Sequence, residues 1–175
     1  LDLAMVCHTR GDRSGQKEAL EQALRINPAW GVAARSLAEV CGDLGQRARA
    51  REVLEKAVAL TPLDPDNHVA LAELLWSAGE KEQALARAEH AALLDPACEW
   101  AWSRISEWSA ALGQPGRAVA LARELTRNRA GEARSWLILA KALAGPDDLA
   151  ERLHALDRAI ELNPRFFEAH DLKAA

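Results

Sequence analysis

Glu39, Glu73 and Glu107 stand thirty-four residues apart, three carboxylates at one repeated interval. A row of that kind offers a cationic chain a series of equivalent anionic contacts. Other residues that could do chemistry lack a working pattern. The segment from Gly11 to Lys17 superficially suggests a phosphate-cradling loop, but its spacing departs from that motif and no strand precedes it, so a turn between helices is expected. Of the histidines, His68 and His170 share a register, whereas His8, His90 and His154 fall elsewhere, and no set of His, Cys and carboxylate residues has metal-site spacing. The expectation is a chain without catalysis of its own, without a metal and without a cofactor. Cys7 and Cys41 fall at the same register of successive units. Helices stacked at about 8–10 Å between axes hold such residues beyond the Cα separation of about 7 Å that a disulfide tolerates. Cys98 has no evident partner. Free thiols suit a reducing compartment, most simply the cytoplasm.

The interval that sets the glutamates runs through the whole chain. Pro28, Pro62, Pro96 and Pro164 keep it, with Ala130 on the missing beat, and so do Gly11, Gly45, Gly79 and Gly113. Leu37-Ala38, Leu71-Ala72, Ile105-Ser106 and Leu139-Ala140 follow, as does Leu3-Ala4. Such a chain is a stack of equivalent units rather than one globule around one active site. One array over 1–175 is expected, in units of about 1–28, 29–62, 63–96, 97–130 and 131–164 followed by a terminal helix at 165–175. With 27% charged and 49% hydrophobic residues, the chain can bury a continuous seam and stay soluble. Its net charge of −4 is spread rather than clustered, which argues against duplex nucleic acid as a partner. No apolar run approaches the roughly eighteen residues of a membrane span. The start at Leu1 and an end inside a helical pattern suggest a piece of a longer protein, and the Ala/Arg/Leu-rich style suggests a bacterial source.

One unit shows how the period makes structure. Val32, Ala33, Leu37, Ala38, Val40, Cys41 and Leu44 repeat with helical spacing, and Gly45 can take the left-handed conformation that ends a helix. Ala50, Val53, Leu54, Ala57, Val58 and Leu60 restart the period, and Pro62 stops it. Each unit is therefore a helical hairpin with apolar residues on more than one face, which only stacking can bury. First helices are expected near 1–10, 31–44, 65–78, 98–112, 132–144 and 165–175. Second helices are expected near 14–26, 47–60, 81–94, 115–128 and 147–162. Asp64-Pro65-Asp66 and Gly145-Pro146-Asp147-Asp148 read as helix starts.

With Trp136, Leu139-Ala140, Leu143, Leu156, Ala159 and Pro164 in one unit, and His68, Leu71-Ala72, Leu75, Gly79, Ala84, Ala91 and Pro96 in another, the chain resembles the tetratricopeptide-repeat family over essentially its whole length. The resemblance implies an all-α fold, a right-handed superhelical solenoid of antiparallel helix pairs, whose first helices line a concave surface. It also marks departures. Gln16 and Arg152 replace the small alanine of the second helix, which predicts looser hairpins there. Ala88 and Ala122 replace a bulky aromatic, and Trp108 is expected to fill the space.

By the same resemblance the concave face presents Arg35, Glu39, Val69, Glu73, Trp76, Trp100, Arg104, Glu107, Arg134 and Lys141. One row runs Met5, Glu39, Glu73, Glu107, Lys141, a second Gly42, Trp76, Ala110, Ala144, and a third Val32, Asp66, Trp100, Arg134, Glu168. Two readings of the carboxylate row stand open: a solvated face partly neutralised by Arg35 and Arg104, or a trough for a cationic segment. Trp76 is either packing or an anchor with one face open, and Trp100 either stacks under Arg134 or anchors a ligand. Family members that hold acidic chaperone tails use basic and amide side chains on these rows. Here the glutamates oppose such a ligand.

The implied function is a protein-interaction scaffold binding a basic peptide with an apolar anchor, without nucleic acid or membrane. The alternative is a substrate-recruiting or regulatory module of a larger, bacterial enzyme such as a transferase. Phe166, Phe167 and Leu172 at the end suggest weak self-association.

Overall fold

A computed structural model of the chain describes residues 2–9, 11–143 and 145–174. Leu1, Arg10, Ala144 and Ala175 lie outside the described residues, so the outer ends of the helices expected at 1–10, 132–144 and 165–175, and the Ala144 position of the Trp76 row, are not described. The chain divides into two compact units, Leu1–Leu94 and Asp95–Ala175. The first holds α1 (Asp2–Thr9), α2 (Arg13–Ile26), α3 (Gly31–Asp43), α4 (Arg47–Leu60), α5 (Pro65–Ser77) and α6 (Lys81–Leu94). The second holds α7 (Glu99–Ala111), α8 (Arg117–Asn128), α9 (Ala133–Ala142), a 3-10 turn (Pro146–Asp148), α10 (Leu149–Leu162) and α11 (Phe167–Ala174). Among the described residues there is no strand, and each helix falls within about two residues of its expected place.

Within each unit, consecutive helices pair as hairpins and each hairpin packs on the next. The repeated apolar residues meet equivalent environments: Leu37, Leu71, Ile105 and Leu139 are 1%, 2%, 0% and 3% exposed. Burying a leucine or isoleucine side chain fully is worth about 1.5–3 kcal/mol, so these positions hold each first helix against its partner. Ala50, Ala84, Ala88, Ala91 and Ala122 are fully buried, their small side chains letting helices approach closely. The expectation of loose packing at Arg152 is not met. Arg152 is half-buried in the well-packed α9–α10 hairpin, and the sparsest hairpin contact lies between α7 and α8. Trp108, 3% exposed, occupies α7 where smaller residues stand elsewhere. A bulky core residue at that register keeps the two helices apart.

The hairpin turns repeat at hydrogen-bond level. Gly11, Gly45, Gly79 and Gly113 have φ of 73°, 72°, 86° and 72°, the left-handed region that non-glycine residues seldom adopt. The residue after each donates its N–H to a carbonyl five positions back, as Gln46 does to Cys41 at 2.7 Å and Glu80 to Leu75 at 3.0 Å. The Gly11–Lys17 segment is one such turn: Asp12 caps α2, its Oδ1 accepting from the Gly15 N–H at 2.9 Å. In the fifth hairpin the glycine's register carries Asp147, and the 3-10 turn replaces the left-handed residue. A Cβ on Gly45 would meet nothing within 4 Å, so Gly45→Ala isolates the conformational cost. Chemical denaturation should show a loss of about 1 kcal/mol, and an unchanged midpoint would contradict the turn assignment.

A ring nitrogen recurs as well. His68 Nε2, Trp102 Nε1, Trp136 Nε1 and His170 Nε2 lie 2.9, 3.2, 2.8 and 3.0 Å from the carbonyls of Pro62, Pro96, Ala130 and Pro164, each six residues upstream. Trp102 and Trp136, expected in the core, are half-buried with their indole N–H groups satisfied in this way. His68 is buried, and because a carbonyl only accepts, its Nε2 carries the proton and Nδ1 is left without a partner.

Burial is the main force holding the His68 pKa below its ordinary value, with His90 and Arg87 adding to it, while the Pro62 hydrogen bond and Asp64 oppose it. A depressed histidine keeps its stabilising neutral form above the unfolded pKa of about 6.5. Below that the unfolded chain takes up the proton first, so stability falls with pH until the folded pKa is passed. His68→Gln can still donate to Pro62 and should flatten that acid-side loss in urea titrations at pH 5 and 7.5. An identical loss in both proteins would assign it elsewhere.

Candidate peptide-binding face

In the first unit α3 and α5 lie beside each other, each the first helix of its hairpin. Helical spacing puts Arg35 and Glu39 one turn apart on α3, and Val69, Glu73 and Trp76 in successive turns of α5. Arg35 does not neutralise the glutamate above it. Its guanidinium reaches across to the start of α5, 3.2 Å from Asp64, 3.2 Å from Asp66 and 2.9 Å from the Asn67 side-chain oxygen. Asn67 is fully buried and also donates to the Thr61 hydroxyl at 2.8 Å. Arg35 thus serves as a clamp between hairpins, and Gly31 sits against this network, where a Cβ would stand 2.6 Å from an Asp64 oxygen.

Glu39 and Glu73 are exposed and form no ion pair among the described residues. Val69 and Trp76 are half-buried beside them, and the Lys81 ammonium lies 5.4 Å from the Trp76 ring centroid. The indole is therefore already engaged on one side by a cation. At the register of Trp76, α3 carries Gly42, where a Cβ would meet only open space within 4 Å.

In the second unit the carboxylate row behaves differently. Glu107 accepts from Arg104 at 2.5 Å, and the same guanidinium lies 6.0 Å from the Trp100 centroid. Trp100 meets Trp108 edge to face at 5.8 Å and 87°, a favourable aromatic geometry. Of the two roles open to Trp100, stacking under Arg134 does not occur, because Arg134 lies 5.9 Å over Phe166 instead. Lys141 is paired with Glu168. Arg134 and Lys141 share a cleft of about 280 Å³ between α7 and α9, completed by Trp102, Ser103, Leu137 and Ile138. Trp100, Arg104 and Glu107 do not line it. Ser103 and Ser106, which do, were not singled out by sequence. Their only signal is polarity at registers where Val69 and Ala72 stand in the preceding repeat.

No group of His, Cys and carboxylate side chains among the described residues could hold a metal ion. Cys7, Cys41 and Cys98 are free thiols, and burial raises the pKa of Cys41. No helix of the described residues is long and apolar enough to cross a membrane.

A tetratricopeptide-repeat family model matches residues 31–74, the span that holds α3, α4 and most of α5. Residues 31–74 thus carry a tetratricopeptide-repeat segment. Solved structures of similar fold extend that likeness over nearly all its repeats. A crystal structure of MamA matches with a TM-score of 0.60 at 20% identity, covering 99% of this chain and 96% of that one. YrrB, described as a tetratricopeptide-repeat protein with an unusual peptide-binding site, matches with a TM-score of 0.56 at 19% identity, covering 98% and 89%. An O-GlcNAc transferase mutant from Thermobaculum terrenum matches with a TM-score of 0.56 at 27% identity, but over 73% of this chain and only 25% of that one. No curated protein matches the chain.

Proposed function

We propose that this tetratricopeptide-repeat chain is a protein-interaction module, and that the α3–α5 face takes a basic peptide segment of a partner with an apolar anchor at Trp76. The observation that carries the reading is the exposed pair Glu39 and Glu73, two carboxylates without ion-pair partners among the described residues, on adjacent first helices next to a half-buried indole. Unpaired rim charges steer and orient a cationic chain, while desolvation of an aromatic supplies most of the affinity. The description of YrrB as peptide-binding supports the peptide as a ligand class. A second reading rests on the likeness to part of a transferase: the repeats recruit substrate for a catalytic domain of a larger protein.

Selection of a random peptide library on the chain tests the first reading. Enriched peptides should carry Lys or Arg flanking an apolar residue. Glu39→Gln together with Glu73→Gln should slow their association several-fold at low salt and flatten its salt dependence. Enrichment of acidic peptides, or an unaltered salt dependence in the double variant, would overturn it.

A further inference from the structure

Of α3, α5, α7, α9 and α11, which share one register, α3 alone carries no ring there. His68, Trp102, Trp136 and His170 each place a ring nitrogen on the carbonyl six residues upstream. The α3–α4 hairpin carries Ala34 at that register, thirty-four residues before His68. The corresponding carbonyl is that of Pro28, and no donor among the described residues reaches it. An open cleft of about 520 Å³ lies there, within the range of ligand sites. Pro28, Ala34, Val53 and Ala57 are among the residues lining it, with Leu24 of α2 on the other wall. Ala34 forms its floor at 2% exposure, so the space opens above the methyl group.

The cleft's rim repeats the registers that grip the ring elsewhere. Arg158 lies 5.8 Å over Trp136, and His90 packs on His68 at 4.4 Å between centroids; both share the register of Lys56. His154 meets Trp136 edge-on at 6.0 Å, at the register of Glu52. The charges around the cleft are not balanced. Arg49 is taken up by Glu52 at 2.8 Å and Glu21 at 3.4 Å, whereas Arg25 and Lys56 form no ion pair among the described residues.

We propose that this cleft receives a tryptophan side chain of a partner protein, carried beside a carboxylate. The indole N–H donates to the Pro28 carbonyl as Trp102 and Trp136 donate to theirs. Lys56 covers the ring face, and a cation stacks best on an indole. The adjoining carboxylate pairs with Arg25. Tryptophan fits better than histidine, because Leu24 and Val53 form apolar walls and two unpaired cations disfavour a protonated imidazole. This site is separate from the α3–α5 face and prefers the opposite charge, so either can fail alone.

The probe is the capped dipeptide N-acetyl-Asp-Trp-amide, titrated into the isotope-labelled 175-residue chain by NMR. Saturable shifts are expected at the amides of Ala34, Val53 and Ala57. Methylating the indole nitrogen of the probe should weaken binding about fivefold. Ala34→Trp should abolish the shifts and raise the melting temperature, since it completes the hairpin from within. The pair Arg25→Gln and Lys56→Gln, both at exposed sites, should weaken the probe without loss of fold. No saturable shift at those amides, equal binding of the N-methyl probe, or undiminished binding to the Arg25/Lys56 variant would overturn the proposal.

Discussion

Leu71→Ala should destabilise the first unit by about 3 kcal/mol, within the 2–5 kcal/mol range of buried leucine truncations. Leu71 is 2% exposed in α5, which forms with α6 the most extensive hairpin contact in the chain. Ala72, Ala84, Ala88, Ala91 and Ala92 pack around this hairpin at 0% exposure, and none can grow into the hole. The cavity term therefore adds in full to the lost transfer energy. Because stacked repeats exchange stability mainly with their neighbours, the loss should also be felt in α3 and α4. Urea denaturation followed by hydrogen exchange measures both. A loss below about 1 kcal/mol, or one confined to the mutated helix, would mean that the hairpins are less coupled than their packing indicates.

Trp76→Ala should speed dissociation of a library-selected basic peptide about thirtyfold, corresponding to a hot-spot cost of about 2 kcal/mol. The indole is half-buried, so truncation removes contact area as well as the ring face that Lys81 covers. Association should change little, since Glu39 and Glu73 still steer the ligand. This split separates an anchor from a packing residue. A lower melting temperature with an unchanged dissociation rate would make Trp76 part of the core alone. Trp100, held by Trp108 and Arg104, should be insensitive in the same assay.

Periodicity made the helices legible because every unit repeats the same local solution. Helical spacing of apolar residues, a left-handed glycine and a terminating proline are each decided within a few residues, and four glycines indeed take that conformation. Which residues share a register was legible for the same reason. Their charge state was not. Arg35 stands one turn from Glu39, and sequence spacing left open whether it would partly neutralise the row. In the fold it is drawn to the next hairpin, where Asp64, Asp66 and buried Asn67 offer three acceptors at once. Arg134 similarly leaves Trp100 for Phe166, a residue thirty-two positions later.

The sequence by itself thus determined the repeat, the helix ends, the turns and which residues share a register, because each depends on neighbours along the chain. Tertiary structure alone decided which carboxylates keep their charge unpaired, which rings are covered, and where the absence of a ring at Ala34 opens a cleft. Those outcomes depend on long side chains choosing among partners on different helices. That choice follows the number and burial of acceptors within reach in space, which spacing along the chain does not specify.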